Sequence, residues 1–326
     1  MNRSFPLYLL TCCLGLLSGM AFLRPLHGQE VILPPGRNPQ TGGDPGHRSA
    51  HEKKKALQST TLQMIELPLF DDFARGGPIP DQTLWSDRDA YINNHFSLDP
   101  VSNGVATLDA LTPEGNLYPG ATLSPATFIA DHLTSQSINL EYSPADSIYL
   151  SFFFYPGGLG DQPEGPDSLA VDFYAPDSAQ WHTVWHTGGR ELHPFRQVMI
   201  PIRKEIYLQS GFRFRFRNRA SLSRSNDYPD LRNNVDFWNI DYVRLGSQRF
   251  AGDTVLRDVA FHKPLSSILK TLTALPWDHF EAAYNTVIDP PVEARYRNND
   301  TITRNVTRSL LIEEPFYDQG RMPEPS

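Results

Sequence analysis

The chain is poor in cysteine: its 326 residues contain two, Cys12 and Cys13, and both lie in the apolar run that opens it. Without that run no thiol remains, which excludes disulfide staples, thiolate zinc sites and a cysteine nucleophile together. Cationic charge is also short, with 29 Lys and Arg against 37 Asp and Glu. An acidic chain is a poor match for a phosphate backbone, so general nucleic-acid binding is excluded as well. Neither a G-x-S-x-G elbow nor an H-E-x-x-H pair occurs. No strand-like run carries the acidic alternation that would set two carboxylates over one cleft, as glycoside hydrolysis requires. Between residues 65 and 250 no long stretch keeps apolar residues at i, i+3, i+4 and i+7, which argues against a helical fold.

What is present begins with a leader. Asn2 and Arg3 form a basic head, and Phe5–Leu23 is apolar except where Pro6, Gly15 and Gly19 interrupt it. Residues 1–29 therefore read as a secretory signal peptide more than a membrane anchor, with cleavage after Gly19-Met20-Ala21 or near Gly28-Gln29. Losing Arg3 and Arg24 with this segment leaves 27 basic and 37 acidic residues, a net charge of −10, and no membrane span. Residues 30–64 are rich in Pro, Gly and polar residues without an apolar period. They read as a flexible spacer, with Lys53-Lys54-Lys55 as a solvated charge run.

The densest strand signals lie between Asp146 and Tyr174. Ile148–Phe154 is a continuous apolar run, as in a strand covered on both faces, whereas Ser168–Tyr174 alternates with Leu169, Val171 and Phe173 on one side. The connection Pro156–Pro166 is Gly, Pro and Asp chemistry and belongs to the surface. Further short β-like runs at Ala90–Asn93, Gly104–Leu108, Ser137–Leu140, Trp181–His186, Phe195–Ile202, Gly211–Phe216 and Trp238–Leu245, separated by turn signals, predict an all-β antiparallel sandwich or jelly roll over 65–250. After Gly246 the composition shifts. Leu265, Ile268, Leu269, Leu272 and Leu275 predict one short helix ended by Pro276, and Thr286–Ile288, Val292–Tyr296 and Val306–Ile312 predict strands of a partial second β module over 251–326. That module is small for an independent core, so the chain reads as a fragment or short version of a longer surface protein.

One set of residues carries a resemblance. Phe70-Asp71-Asp72-Phe73, Trp85, Val105–Asp109, Asp131–Ser135, the 147–169 run, Phe212–Phe216, Trp238–Val243 and Leu275-Pro276-Trp277 together resemble the N-terminal module of large secreted surface proteins of Bacteroidota, MAM-like or lectin-like in fold and associated with type IX secretion. The resemblance spans roughly residues 65–280 and implies a secreted or cell-surface location. No C-terminal sorting domain of that secretion route is visible. In MAM-like and related jelly-roll modules an acid after the first strand's Phe and an Asp in the last strand often hold a structural calcium. The resemblance thus nominates Asp71, Asp72 and Asp241, against the simpler reading of a turn and a sheet edge. Five Asp-Ser/Thr-apolar triplets, from Asp146-Ser147-Ile148 to Asp300-Thr301-Ile302, match the O-glycosylation acceptor of that phylum and equally suit a turn before a strand.

Three groups of residues bear on a ligand. Arg213, Arg215, Arg217 and Arg219 alternate with phenylalanines, so one strand face is core and the other cationic. Guanidinium groups fork onto acidic or sulfated glycans, and they also pair with acids of neighbouring strands. Trp181 and Trp185, at i and i+4 on one strand, are expected to share a face and, with Tyr155 and Tyr174, to offer stacking platforms or to be core. The 157–166 loop, with Asp161 and Glu164, offers a rim contact. His182, His186 and His193 lack an acidic partner motif for zinc. The resulting expectation is a non-catalytic recognition or adhesion module for glycan or another cell-envelope component, with a lectin-like hydrolase or a ligand-free scaffold as alternatives.

Overall fold

A computed structural model of the chain describes residues 64–307, apart from 76, 190, 224–235, 273 and 290. The predicted leader, nearly all of the spacer and most of Val306–Ile312 lie outside these. The described chain is an antiparallel β-sandwich. One sheet runs β2 (Tyr91–Asn93), β3 (Val105–Leu108), β11 (Trp238–Gly246), β6 (Ile148–Pro156) and β9 (Arg196–Ile202), and β1 (Leu69–Asp71) pairs with the second half of β11. The other runs β4 (Phe128–Thr134), β10 (Ser210–Ala220), β7 (Ser168–Ala175) and β8 (Gln180–Gly188), with β5 (Ile138–Asn139) joined to the start of β10. The chain changes sheet between β3 and β4, β5 and β6, β6 and β7, β8 and β9, β9 and β10, and β10 and β11, the wrapping of a jelly roll.

Period-2 patterning explains the core. Phe212, Phe214 and Phe216 of β10 are fully buried against Leu169, Val171 and Phe173 of β7 and face Phe152 and Phe154 of the opposite sheet. Phe152 meets Phe216 edge-on at 4.8 Å between ring centroids, and Trp85 closes the end of the layer against Phe73 and Phe214. The continuous apolar run of β6 is buried on both faces, as expected, because β6 is flanked by β11 and β9 and its outer side is covered. Arg249, itself buried, donates to Ser151 Oγ, the Tyr149 carbonyl and the Arg244 carbonyl. A bulge where Asp241 and Arg244 face Phe153 and Ser151 puts Tyr242 at φ 53°, a left-handed backbone that only surrounding pairing sustains in a non-glycine.

The helix falls elsewhere than the apolar spacing predicts. The described residues of 265–275 are not helical; the described helix is α1, Trp277–Val287, which begins directly after Pro276. Ser267 Oγ accepts the Leu269 N–H and donates to the Leu272 carbonyl, and the backbone of 266–270 is bonded to Val287 at the end of α1 and to Asp289 and Glu293 beyond it. Tertiary pairing and a serine hydroxyl have overridden the leucine spacing, and Leu265, Ile268 and Leu272 stay exposed. Thr286 and Val287 close α1 instead of opening a strand, and of the Val292–Tyr296 run only Tyr296 is in a strand: β13 (Tyr296–Asn298) pairs with β12 (Val259–Phe261). Among the described residues no helix is long and apolar enough to cross a membrane.

Candidate functional site

The outer face of the second sheet gathers the arginine row. On β10, Arg213, Arg215 and Arg217 stand opposite Tyr174, Asp172 and Ala170 of β7, and Tyr174 and Asp172 stand opposite Trp181 and Thr183 of β8. The guanidinium carbon of Arg213 lies 4.3 Å from the centroid of the Tyr174 ring and 5.5 Å from that of Trp181, and that of Arg215 lies 4.3 Å from Trp181. Tyr174 and Trp181 are themselves 5.1 Å apart. Cations and rings therefore alternate along one line of the surface.

Asp172 sits at the centre of the row and is 2 % exposed. It accepts from Arg215 Nε at 3.0 Å, Arg217 Nε at 2.6 Å and Thr183 Oγ1 at 2.7 Å. Burial alone would raise its pKa, but the bonds from Arg217, Thr183 and Arg215 win and hold it below the usual carboxylate range. The pairing with acids of a neighbouring strand holds for two of the four arginines. Arg215 and Arg217 share one carboxylate, Arg219 donates to Thr127 Oγ1, and Arg213 has neither a hydrogen-bond nor an ion-pair partner among the described residues.

Trp181 and Trp185 do not share a face. Asp172 pairs with Thr183 and Val171 with Trp185, so Val184 is an extra residue in a bulge, and alternation restarts with the opposite phase. Trp185 turns inward, 5.4 Å from Phe152 and 5.1 Å from Phe154. Tyr155 lies on the other sheet, buried and packed against Phe195, and Asp161 lies in the β6–β7 loop. Of the nominated ligand residues the structure brings together Arg213, Arg215, Arg217, Trp181 and Tyr174.

The nominated metal residues do not converge. Asp71 accepts from the Phe73 N–H and Trp85 Nε1, and Asp72 from the Ala74 N–H. Asp241 accepts from the Val101 and Ser102 N–H groups and from Ser102 Oγ. Burial pushes Asp241 up to about 7 even so. The acidic cluster that does form, and that can hold a metal ion, is Glu164, Asp167 and Asp236, with one oxygen from each within 4.8 Å of the others. Two ionised carboxylates at that separation repel by roughly 3 kcal/mol at an effective dielectric constant of about 20. Burial and the neighbouring Asp167 and Glu164 raise Asp236 to about 10. Sequence reading flagged the loop and two of its acids, Asp161 and Glu164, but had no signal for Asp236, 69 positions beyond Asp167.

No family model matches the sequence, and no curated protein matches it. Among solved structures, the chain is similar to a point mutant of a carbohydrate-binding module of family 29, with 9% identity and TM-score 0.31 over 58% of this chain and 97% of that one. It is also similar to a family 27 carbohydrate-binding module of Caldicellulosiruptor saccharolyticus in complex with mannohexaose, with 11% identity and TM-score 0.30 over 55% and 96%. A third likeness is to an arabinose-bound family 51 α-L-arabinofuranosidase, with 12% identity and TM-score 0.33 over 56% of this chain and 27% of that one. These similarities leave the ligand of this chain to be decided by its own side chains.

Proposed function

We propose that this chain is a secreted or cell-surface, non-catalytic recognition module that binds an anionic glycan on the outer face of the second sheet. The observation that carries the proposal is the line Tyr174, Arg213, Trp181, Arg215, in which Arg213 is held in place by ring faces and not by a carboxylate. Half-buried Trp and Tyr rings present apolar surface for the C–H face of a sugar, and a guanidinium supplies the planar fork that fits a carboxylate or sulfate. In a chain of net charge −8 this row is a local field opposite in sign to the average.

A glycan array probed at low and physiological salt tests it. Binding to uronic-acid or sulfated glycans is expected, weaker at the higher salt where the screening length is about 8 Å, and lost in Trp181→Ala and Arg213→Ala. Binding that is indifferent to salt and to both changes would place recognition elsewhere.

A hydrolase reading has one feature in its favour, a cavity lined by two acids, Asp72 and Asp258. Its volume, about 260 Å³, is small beside the roughly 300–1,000 Å³ of ligand pockets, and neither acid lies on the arginine face. A hydrolase would release reducing sugar from a bound glycan; recognition alone releases none.

A further inference from the structure

The β6–β7 loop and the residues just before β11 hold buried carboxyl groups that no basic side chain among the described residues answers. Asp236 and Asp167 are both 0 % exposed. Both oxygens of Asp236, Oδ1 of Asp167, Oε2 of Glu164 and Oδ2 of Asp161 are buried and have no hydrogen-bond partner among the described residues. No Lys or Arg forms an ion pair with any of the four acids among the described residues. Asp71 and Asp241, by contrast, accept hydrogen bonds on both carboxylate oxygens. A buried, unpartnered carboxylate is what a protein keeps only when something outside its own side chains completes it.

We infer that Glu164, Asp167 and Asp236 form a calcium site that pins the β6–β7 loop to the segment two residues before β11, with Asp161 at its edge. The donor set is oxygen only, which selects a hard cation over zinc or copper. Calcium takes six to eight oxygens at about 2.3–2.6 Å, and three carboxylates that each bring one oxygen within 4.8 Å of the others can share one such ion. Magnesium, which holds its waters and demands a tight octahedron, fits a dry cluster of three carboxylates less well.

The surrounding backbone is built to hold the loop there. Asp161 and Asp236 are bridged in parallel, the Phe237 N–H donates to the Asp161 carbonyl, and Ser221 Oγ and the Glu164 N–H fix Asp167 through Oδ2, leaving Oδ1 free. A Cβ at Gly160 would sit 2.1 Å from the Phe237 ring, so only glycine lets the loop lie this close. The site is independent of the glycan face: it uses none of its residues.

Titration calorimetry of the full chain, stripped with chelator and then given calcium or magnesium chloride, tests the inference directly. One calcium per chain is expected, with weaker magnesium binding. The melting temperature is expected to rise by about 5–10 °C when calcium exceeds its Kd about 100-fold. Asp236→Asn is expected to weaken calcium binding at least tenfold, while Asp72→Asn leaves it unchanged. If Asp236→Asn does not fold, Glu164→Gln, on a partly exposed residue, gives the same reading. A folded wild-type chain that takes up no calcium at millimolar concentration overturns the inference, as does calcium binding lost with Asp72→Asn and kept with Glu164→Gln.

Discussion

Asp172 and Asp236 are both aspartates buried in one sandwich, and the fold treats them in opposite ways. Asp172 lies on a strand whose neighbour was given arginines at the facing positions, so burial is offset by three side-chain donors. Asp236 lies two residues before β11 and meets carboxylates. The first carboxylate is completed within the sheet by period-2 registration; the second meets no basic side chain among the described residues, which is why a cation is inferred there. A buried charge thus reports where the chain is self-sufficient and where it is built for something else.

The largest expected effect asks whether β10 is held by its rings or by its ions. Phe216→Ala removes a fully buried ring that touches Trp85, Phe152 and Phe214, and is expected to cost about 3–5 kcal/mol in denaturant unfolding. Asp172→Ala leaves Arg215 and Arg217 without their shared carboxylate. Because both arginines are partly solvated, with side chains 23% and 18% exposed, the cost is expected nearer 2 kcal/mol. If Asp172→Ala proves the costlier, the ion triad and not the aromatic layer organises this sheet.

A pH series sharpens the same contrast on one face. Asp172 is lowered in the fold, so its contribution is present above the ordinary carboxylate range and is lost as pH falls below about 4. Asp89, beside His132 at the β4 edge, is raised to about 6 by burial against a single bond from the His132 N–H. Its contribution is fully present below about pH 4 and is lost as pH rises to about 6, on the order of 1–2 kcal/mol once its partial exposure is allowed for. Asp172→Asn should flatten the acid limb of the stability profile and Asp89→Asn the limb between about pH 4 and 6. Identical profiles for the two variants would dissolve the distinction.

How much of this was legible follows from periodicity. The β10 alternation Phe-Arg-Phe-Arg-Phe-Arg gave strand, core face and cationic face directly, because nothing breaks the period. β8 carries one extra residue, Val184, and that bulge has no sequence mark, so Trp185 turns inward where even spacing put it beside Trp181. Strand β4 escaped notice because Asp131 and His132 interrupt its apolar run. Asp131 is nonetheless buried, accepting from Tyr118 Oη and the Ala110 N–H, and burial raises Asp109 beside it to about 7. The leucine spacing at 265–275 was real, but the pairing of 266–270 with residues 287–293 is non-local and invisible to a window of eleven residues. The acidic cluster failed for the same reason: its members join two loops far apart in the chain.

The smallest effect on stability is the one that separates function from fold within the arginine row. Arg217 is bonded to Asp172 and Thr183, whereas Arg213 lies against two rings and has no hydrogen-bond or ion-pair partner among the described residues. Arg217→Ala should therefore cost stability, about 1–2 kcal/mol, and change glycan binding little. Arg213→Ala should move stability by no more than about 0.5 kcal/mol, the scale of a surface change. Its loss should show in binding, where one charge-assisted fork is worth about 1.5–3 kcal/mol, or roughly 10–100-fold in Kd. Measuring unfolding and glycan affinity on the same two variants crosses the two quantities. Equal losses of affinity in both would mean that the whole row binds as a diffuse charge. A loss in Arg217→Ala alone would mean that the Asp172 triad, and not the ring-stacked arginine, is the contact surface.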